Sequence, residues 1–320
     1  MLTTAPETSV NTHIRIDRMT PTDPTATAAN ASGADLTTLL AQASRVLTQL
    51  EAWLPPAPPP IDWEASAWRW RRRGARGWLD AVRHVARIQP DDLRHIERQK
   101  DIIDRNTRYF MAGRPANNVL MTGARGTGKS SLVKAMLAAY HGQGLRLIEV
   151  DKSDLGDLPD IVELVASRPE RFIVFCDDLS FEEGEAGYKA LKSVLDGSIA
   201  SAGDNLLIYA TSNRRHLMPE HMRENLQAQP GQDGEIHPGE TVEEKVSLSE
   251  RFGLWLSFYP FRQDDYLDIV HHWLAHLGCS PETIAAAREE ALQWALHRGS
   301  RSGRVAWQFA RDWAAQHQDA

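Results

Sequence analysis

The residues whose types and spacing most directly suggest chemistry lie between positions 123 and 131. Residues 123–130 fit the pattern G-x-x-x-x-G-K-[ST], in which glycines let backbone N–H groups surround phosphates. In this pattern Lys129 reaches the outer phosphates and the Ser130 hydroxyl binds Mg²⁺. The sequence therefore predicts a nucleoside triphosphate site formed by consecutive residues: Gly123, Ala124, Arg125, Gly126, Thr127, Gly128, Lys129, Ser130 and Ser131.

The segments that flank this loop must position it. The apolar run 119–121 predicts a short buried strand before the loop, and residues 131–137 have helical spacing after it. A chance glycine-rich turn is the alternative, but it would not require a strand before it and a helix after it.

Acidic residues follow another predicted strand. The apolar run 172–176 is typical of a parallel strand buried on both faces, and it ends in Asp177 and Asp178. Ligands of open α/β sheets bind at such strand ends. We expect Asp177 to hold Mg²⁺ through water and Asp178 to orient or deprotonate the attacking water. The alternative is that both acids only cap the next helix.

Two more strands and a helical C-terminal part complete the pattern. The run 206–210 ends in polar residues, of which Asn213 is placed to bind the γ-phosphate or the attacking water. Residues 216–245 are polar and have no periodicity, which predicts a long mobile loop, an excursion from the fold. A fifth strand spans 254–259, and the remainder reads as three helices.

The N-terminal part differs in composition. Residues 1–33 have no apolar period and predict a disordered tail, and 34–91 predict a helical region with a proline-rich linker. The stretch 68–78 alternates Trp with Arg, a composition that suits single-stranded nucleic acid. The alternative is that its tryptophans pack on the core while its arginines stay solvated.

Composition limits the other possibilities. The chain has 320 residues, 42% of them hydrophobic and 25% charged, with a net charge of −7. The acidic balance argues against a broadly basic nucleic-acid-binding surface, and two distant cysteines argue against a disulfide framework. No apolar run approaches the roughly 18 residues that span a bilayer, so we expect a cytoplasmic protein without membrane contact.

The order of these features resembles the AAA+ ATPases. Five predicted strands, at 119–121, 145–150, 172–176, 206–210 and 254–259, alternate with helices. The phosphate loop follows the first strand, the acids the third, a polar tip the fourth and a helical lid the fifth. The resemblance implies an α/β fold of the P-loop NTPase type, with a parallel five-stranded sheet, helices on both faces and a C-terminal lid. It implies a nucleotide-binding domain over 92–262 and a lid over 263–320.

Within that superfamily the chain looks closest to a bacterial ATP-binding family catalogued as domain of unknown function 815. The resemblance rests on five sequence segments: 123–131, 172–181, 209–217, 247–260 and 301–304. The resemblance implies ATP and Mg²⁺ as ligands, Asn213 as sensor 1, Arg251 as an arginine finger that acts on the next subunit of a homo-oligomer, and Arg304 as sensor 2. Arg251 and Arg304 have surface ion pairs as their alternative role.

Most AAA+ motors have Asp-Glu where this chain has Asp177-Asp178. Helicase loaders resemble this chain in having two aspartates at these positions. We therefore consider three functions. The first is an ATPase that remodels a protein or nucleic-acid partner. The second is a slow nucleotide switch that recruits a partner, and the third is a nucleic-acid-binding adaptor that uses residues 68–78.

Overall fold

The computed structural model describes residues 33–53, 58–74, 76–85, 88–181, 185–196, 205–213 and 248–317. The predicted tail over 1–33 lies outside these residues except for Gly33, and the predicted excursion over 216–245 lies wholly outside them. Two units are distinguished, Met1–Ala57 and Pro58–Ala320. Within the first unit the structure describes helix α1 (Gly33–Trp53), whose central leucines are exposed.

The second unit contains one seven-stranded sheet. Its strands are β1 (Ala67–Arg73), β2 (Arg76–Ala81), β3 (Val119–Gly123), β4 (Leu145–Glu149), β5 (Arg171–Cys176), β6 (Leu206–Ser212) and β7 (Leu254–Phe258). Their order is β2-β1-β4-β5-β6-β3-β7. All neighbours pair in parallel except β1 and β2, which form an antiparallel hairpin.

Helices cover both faces of the sheet. The helices before the lid are α2 (Glu97–Met111), α3 (Lys129–Tyr140), α4 (Leu158–Ala166) and α5 (Ala186–Leu195). Side chains alternate along the strands, so that Ile173 and Phe175 of β5 pack in the core under α3, whereas Phe172 and Val174 pack in the core under α4 and α5. The continuous apolar runs of the sequence therefore reflect burial on two faces.

The lid consists of α6 (Gln263–His276), α7 (Pro281–Ala286), α8 (Arg288–His297) and α9 (Gly303–His317). Four lid helices replace the three that we predicted, because residues 281–297 form two short helices. Tyr266 and Val270 of α6 are fully buried and belong to the same core cluster as Phe309 and Ala310 of α9. Among the described residues no helix is long and apolar enough to cross a membrane.

The prediction of an α/β fold with a lid is confirmed, but the strand count is corrected from five to seven. The additional strands are β1 and β2, which lie inside the region 34–91 that we expected to be helical. The physical reason is the strict alternation around Trp68 and Trp70, since a period of two places both rings on one face of a strand. Both rings are buried, which confirms that these tryptophans pack on the core.

Gly77 allows the hairpin to close against Trp70. A Cβ atom at Gly77 would lie 2.0 Å from the Trp70 ring, which is buried and donates a hydrogen bond of 3.0 Å to Asp157. The ring is therefore not free to move aside.

We expect Gly77→Ala to lower the free energy of unfolding by about 1–3 kcal/mol through overpacking. Urea unfolding followed by tryptophan fluorescence measures this change. Gly142→Ala is the matched control, because no atom lies within 4 Å of its added Cβ. Equal stabilities of the two variants would contradict the packing argument.

Candidate nucleotide-binding site

A cavity of about 840 Å³ opens where β3, β5 and β6 end and where the lid faces the sheet. This volume lies within the range of small-molecule sites, about 300–1,000 Å³. One end is polar and contains the loop, both aspartates and Asn213. The other end is apolar and is lined by side chains from three separate segments, namely Ile88, Leu93, Ile96, Phe261, Ile269, Trp273 and Trp307.

The loop between β3 and α3 has a conformation that needs its glycines. Gly126 and Gly128 have φ angles of 73° and 99°, in the left-handed region that side chains disfavour. The loop begins against β7, since the Ala124 N–H donates to the Phe258 carbonyl at 3.3 Å. Helix α3 starts directly at Lys129, so its N-terminal N–H groups face the cavity.

Lys129 is buried, and its ammonium group is fully hydrogen-bonded. It donates to the carbonyl oxygens of Gly123 and Ala124 at 2.7 Å each, and to the amide oxygen of Asn213 at 3.1 Å. Burial lowers the pKa of Lys129, and the negative charges of Asp177 and Asp178 oppose that shift. The positive charge is thus held at the loop, where a phosphate group would lie.

Asp177 is the point where hydroxyl groups from two other elements meet. Ser130 donates to its Oδ1 at 2.7 Å, and Thr211 donates to the same oxygen. A hydroxyl and a carboxylate are the hard oxygen ligands that Mg²⁺ prefers. In the described part of the chain no three His, Cys, Asp or Glu side chains form a metal cluster. The residues present fit an ion that takes its other ligands from water and phosphate.

Asp178 has an unusual backbone conformation, with a φ of 54°. Its N–H donates to the Thr211 hydroxyl at 2.9 Å, and its carboxylate accepts a hydrogen bond from the side-chain amide of Asn213. Arg125 lies 3.7 Å from the other carboxylate oxygen. A non-glycine residue with positive φ is uncommon and is found mostly where surrounding contacts impose it, as Thr211 does here.

Asn213 joins the two charged parts of the site. Its amide oxygen accepts from Lys129, and its amide nitrogen donates to Asp178. Asn213 therefore contacts both Lys129 of the loop and the second of the two acids. Thr211 was not among the predicted site residues, although its place in the polar end of a predicted strand, two residues before Asn213, was a usable signal.

The lid contacts the phosphate loop directly. A Cβ atom at Gly126 would lie 2.8 Å from Ser302 Oγ and 3.2 Å from Arg304 Cβ. Arg304 lines the cavity together with Trp273 and Trp307, whose ring centroids lie 4.6 Å apart. No sequence signal identified the apolar end, because its residues come from segments far apart in the chain.

Arg251 does not line this cavity. Its Nε lies 2.5 Å from Asp196 Oδ1, just after the end of α5, and its side chain is 23% exposed. The structure thus separates Arg251 from the other predicted site residues of the same chain.

The fold agrees with the predicted architecture, and in it a glycine-rich loop, strand-end acids and a helical lid surround one cavity. A family profile described as protein of unknown function DUF815 matches residues 63–317. The chain belongs to this family.

Solved structures to which the chain is similar include a RuvB variant from Thermotoga maritima (14% identity, covering 73% of this chain and 67% of that chain, TM-score 0.45). A chain of the HORMA:CdnC:Trip13 complex from E. coli MS115-1 is 12% identical, and the match covers 69% of this chain and 89% of that chain with a TM-score of 0.44. The replication initiator DnaA, bound to AMPPCP and single-stranded DNA, has 13% identity, coverage of 70% and 63%, and a TM-score of 0.46. No curated protein matches the sequence.

We expect Lys129→Ala to weaken ATP binding by about 100-fold or more, because the lysine charge and the loop N–H groups act on the same phosphates. Equilibrium titration with a fluorescent ATP analogue and Mg²⁺ measures the affinity. Lys189→Ala removes an exposed lysine of α5 and should bind like the wild type. Unchanged affinity in Lys129→Ala would remove the loop from the site.

Proposed function

We propose that the protein is a Mg²⁺-dependent ATPase that couples hydrolysis to the remodelling of a protein or nucleic-acid partner. The observation that carries this proposal is the hydrogen-bonded row from Lys129 through Asn213 to Asp178 at the polar end of the cavity. The row places a cation, an orienting amide and a carboxylate side by side, as hydrolysis of a phosphoanhydride requires.

We assign the binding of ATP and Mg²⁺ to the loop and to the two ends of the cavity. Backbone N–H groups of the loop and the N-terminus of α3 bind the phosphates, and Lys129 adds its charge. Ser130 and Asp177 hold Mg²⁺, which neutralises charge on the phosphates when it is bound. The apolar end, with Trp273 and Trp307, takes the base.

The chemical step is assigned to Asp178 and Asn213. Asp178 accepts the proton of the attacking water, and Asn213 fixes the position of that carboxylate through its amide nitrogen. Arg304 reaches the phosphates from the lid, so that lid position and nucleotide state are linked. This link is the means by which hydrolysis moves the lid.

Arg251 is proposed to act on the nucleotide of a neighbouring subunit in a homo-oligomer. Arg251 does not line the cavity of its own chain, which supports a role at the cavity of another subunit. Its ion pair with Asp196 is partly exposed, with 23% of the Arg251 side chain and 46% of the Asp196 side chain accessible, and can be exchanged for a phosphate contact. An arginine supplied in trans accelerates phosphoryl transfer by about 10³–10⁵.

A slow nucleotide switch is the second candidate. The side chain of Asp178 is short, and its carboxylate is already bound by Asn213 and lies near Arg125, which restricts its approach to water. Steady-state turnover separates the two functions, because typical enzymes turn over at about 1–1,000 per second and switches are far slower.

We expect Asp178→Asn to bind ATP nearly normally and to hydrolyse it at least about tenfold more slowly, since an amide keeps the shape but cannot accept a proton. Single-turnover hydrolysis is the measurement. Asp160→Asn makes the same change at an exposed position of α4 and should keep the wild-type rate. An unaltered rate in Asp178→Asn would assign the base to another acid.

We expect Arg251→Ala to bind ATP but to hydrolyse it poorly, whereas Asp196→Asn, which breaks the same ion pair, should retain activity. Mixing Arg251→Ala with Lys129→Ala protein should restore part of the activity, because one variant supplies an intact loop and the other an intact finger. The specific activity of the wild type should fall on dilution.

If Arg251→Ala and Asp196→Asn lost the same fraction of hydrolysis activity, and their melting temperatures fell equally, the role of the ion pair would be structural. A wild-type rate in Arg251→Ala, or specific activity that stays constant on dilution, would contradict the shared site.

A further inference from the structure

The β1–β2 hairpin has two chemically different faces. Its pairing register places Trp68, Trp70 and Leu79 on one face, where all three are buried. The opposite face carries the side chains of the directly paired residues Arg69 and Asp80, Arg71 and Trp78, and Arg73 and Arg76. We call this second face the arginine face.

Acidic side chains lie beside the arginines at the start of β1, but not beside the two arginines next to the hairpin turn. Arg69 pairs with Glu149 at 2.9 Å, and Arg71 lies 3.5 Å from Asp80. Arg73 and Arg76 are exposed and face each other across the last pair of the hairpin, and neither has an ion-pair partner among the residues described. Like charges directly opposite each other destabilise a strand pair, so this arrangement favours an anionic partner.

Trp78 lies on the same face, opposite Arg71, and is half-buried. Trp63, Trp68 and other aromatic side chains of this domain contact rings or cations, but within the described ranges Trp78 has no such contact. A tryptophan ring with one open side, next to guanidinium groups, is a platform on which an unstacked base can bind.

Protection of a sheet edge does not explain this arrangement. Charged side chains commonly protect edge strands, and β2 is an edge strand. However, β1 pairs with β4 only from Ala67 to Arg69, so Arg73 also lies at an edge, and edge protection accounts for the arginines alone. It does not account for Trp78, a half-buried aromatic residue that lies among them on the same face.

We propose that the arginine face binds single-stranded nucleic acid, with Arg73 and Arg76 on successive phosphates and Trp78 stacked on a base. The residues are distinct from those of the nucleotide cavity, so the inference goes beyond the proposed function and holds whether or not ATP is hydrolysed. The chain as a whole has a net charge of −7, so binding is confined to this local face and is strongly salt-dependent.

The test uses the full chain without nucleotide. Fluorescence anisotropy measures the binding of labelled oligodeoxythymidine and oligouridine of about 20 nucleotides across about 50–300 mM salt, which also distinguishes DNA from RNA. We expect Arg73→Ala/Arg76→Ala to bind at least about tenfold more weakly at low salt, with a salt slope shallower by about 1.4 for two lost phosphate contacts. Trp78→Leu should weaken binding about tenfold without changing the slope.

Two controls separate this site from general effects. Arg114→Ala/Arg288→Ala makes the same charge change at exposed positions elsewhere and should bind like the wild type. Arg73→Ala/Arg76→Ala should melt no lower than the wild type, because the change removes a repulsion.

Several results would overturn the proposal. One is the absence of wild-type binding, and another is equal affinity in the wild type and the hairpin variants. A third is that a duplex binds as tightly as the single strand and that Trp78→Leu does not change the affinity for either. Displacement of the oligonucleotide by polyglutamate at equal charge concentration, again without an effect of Trp78→Leu, would assign the face to an acidic protein instead.

Discussion

The register in which β3, β6 and β5 pair is the constraint on which the site depends. Thr122 pairs with Ser212 and Cys176 pairs with Ala210, so the three strands end at one level of the sheet. As a result, the Thr211 hydroxyl accepts from the Asp178 backbone and donates to the Asp177 carboxylate. A shift of this register by one residue would turn Thr211 to the opposite face and separate Asn213 from Lys129.

The electrostatics of the cavity favour a ligand that carries both a metal ion and negative charge. Lys129, Arg125 and Arg304 line the cavity together with Asp177 and Asp178, and Arg125 lies 3.7 Å from the Asp178 carboxylate. The pKa of Lys129 is lowered, chiefly by burial, and repulsion from the charges of Arg125 and Arg304 acts in the same direction. Anionic phosphates relieve this repulsion, while the acids offer oxygen ligands to a divalent cation.

The lid and the hairpin extend this central sheet in two different ways. The lid closes the cavity by direct contact, since Ser302 and Arg304 lie against Gly126 and leave no space for a side chain there. The hairpin lengthens the sheet beyond β4 and is fixed by the Trp70 ring, which packs over Gly77. The cavity and the arginine face therefore share one sheet but use separate side chains.

The sequence by itself determined the phosphate loop, the five central strands and the acids at the end of β5, because these features depend on local patterns: glycine spacing, apolar runs and the residues that follow them. It also indicated the helical lid through its apolar periodicity. The tertiary structure alone decided that Thr211 joins both aspartates, that Trp273 and Trp307 form one end of the cavity, and that Arg251 pairs with Asp196 away from it. It also decided that residues 67–81 extend the sheet, with Trp68 and Trp70 buried and Trp78 left half-exposed. These outcomes follow from strand pairing between residues far apart in the chain, and a local pattern carries no information about which distant strand will become a neighbour.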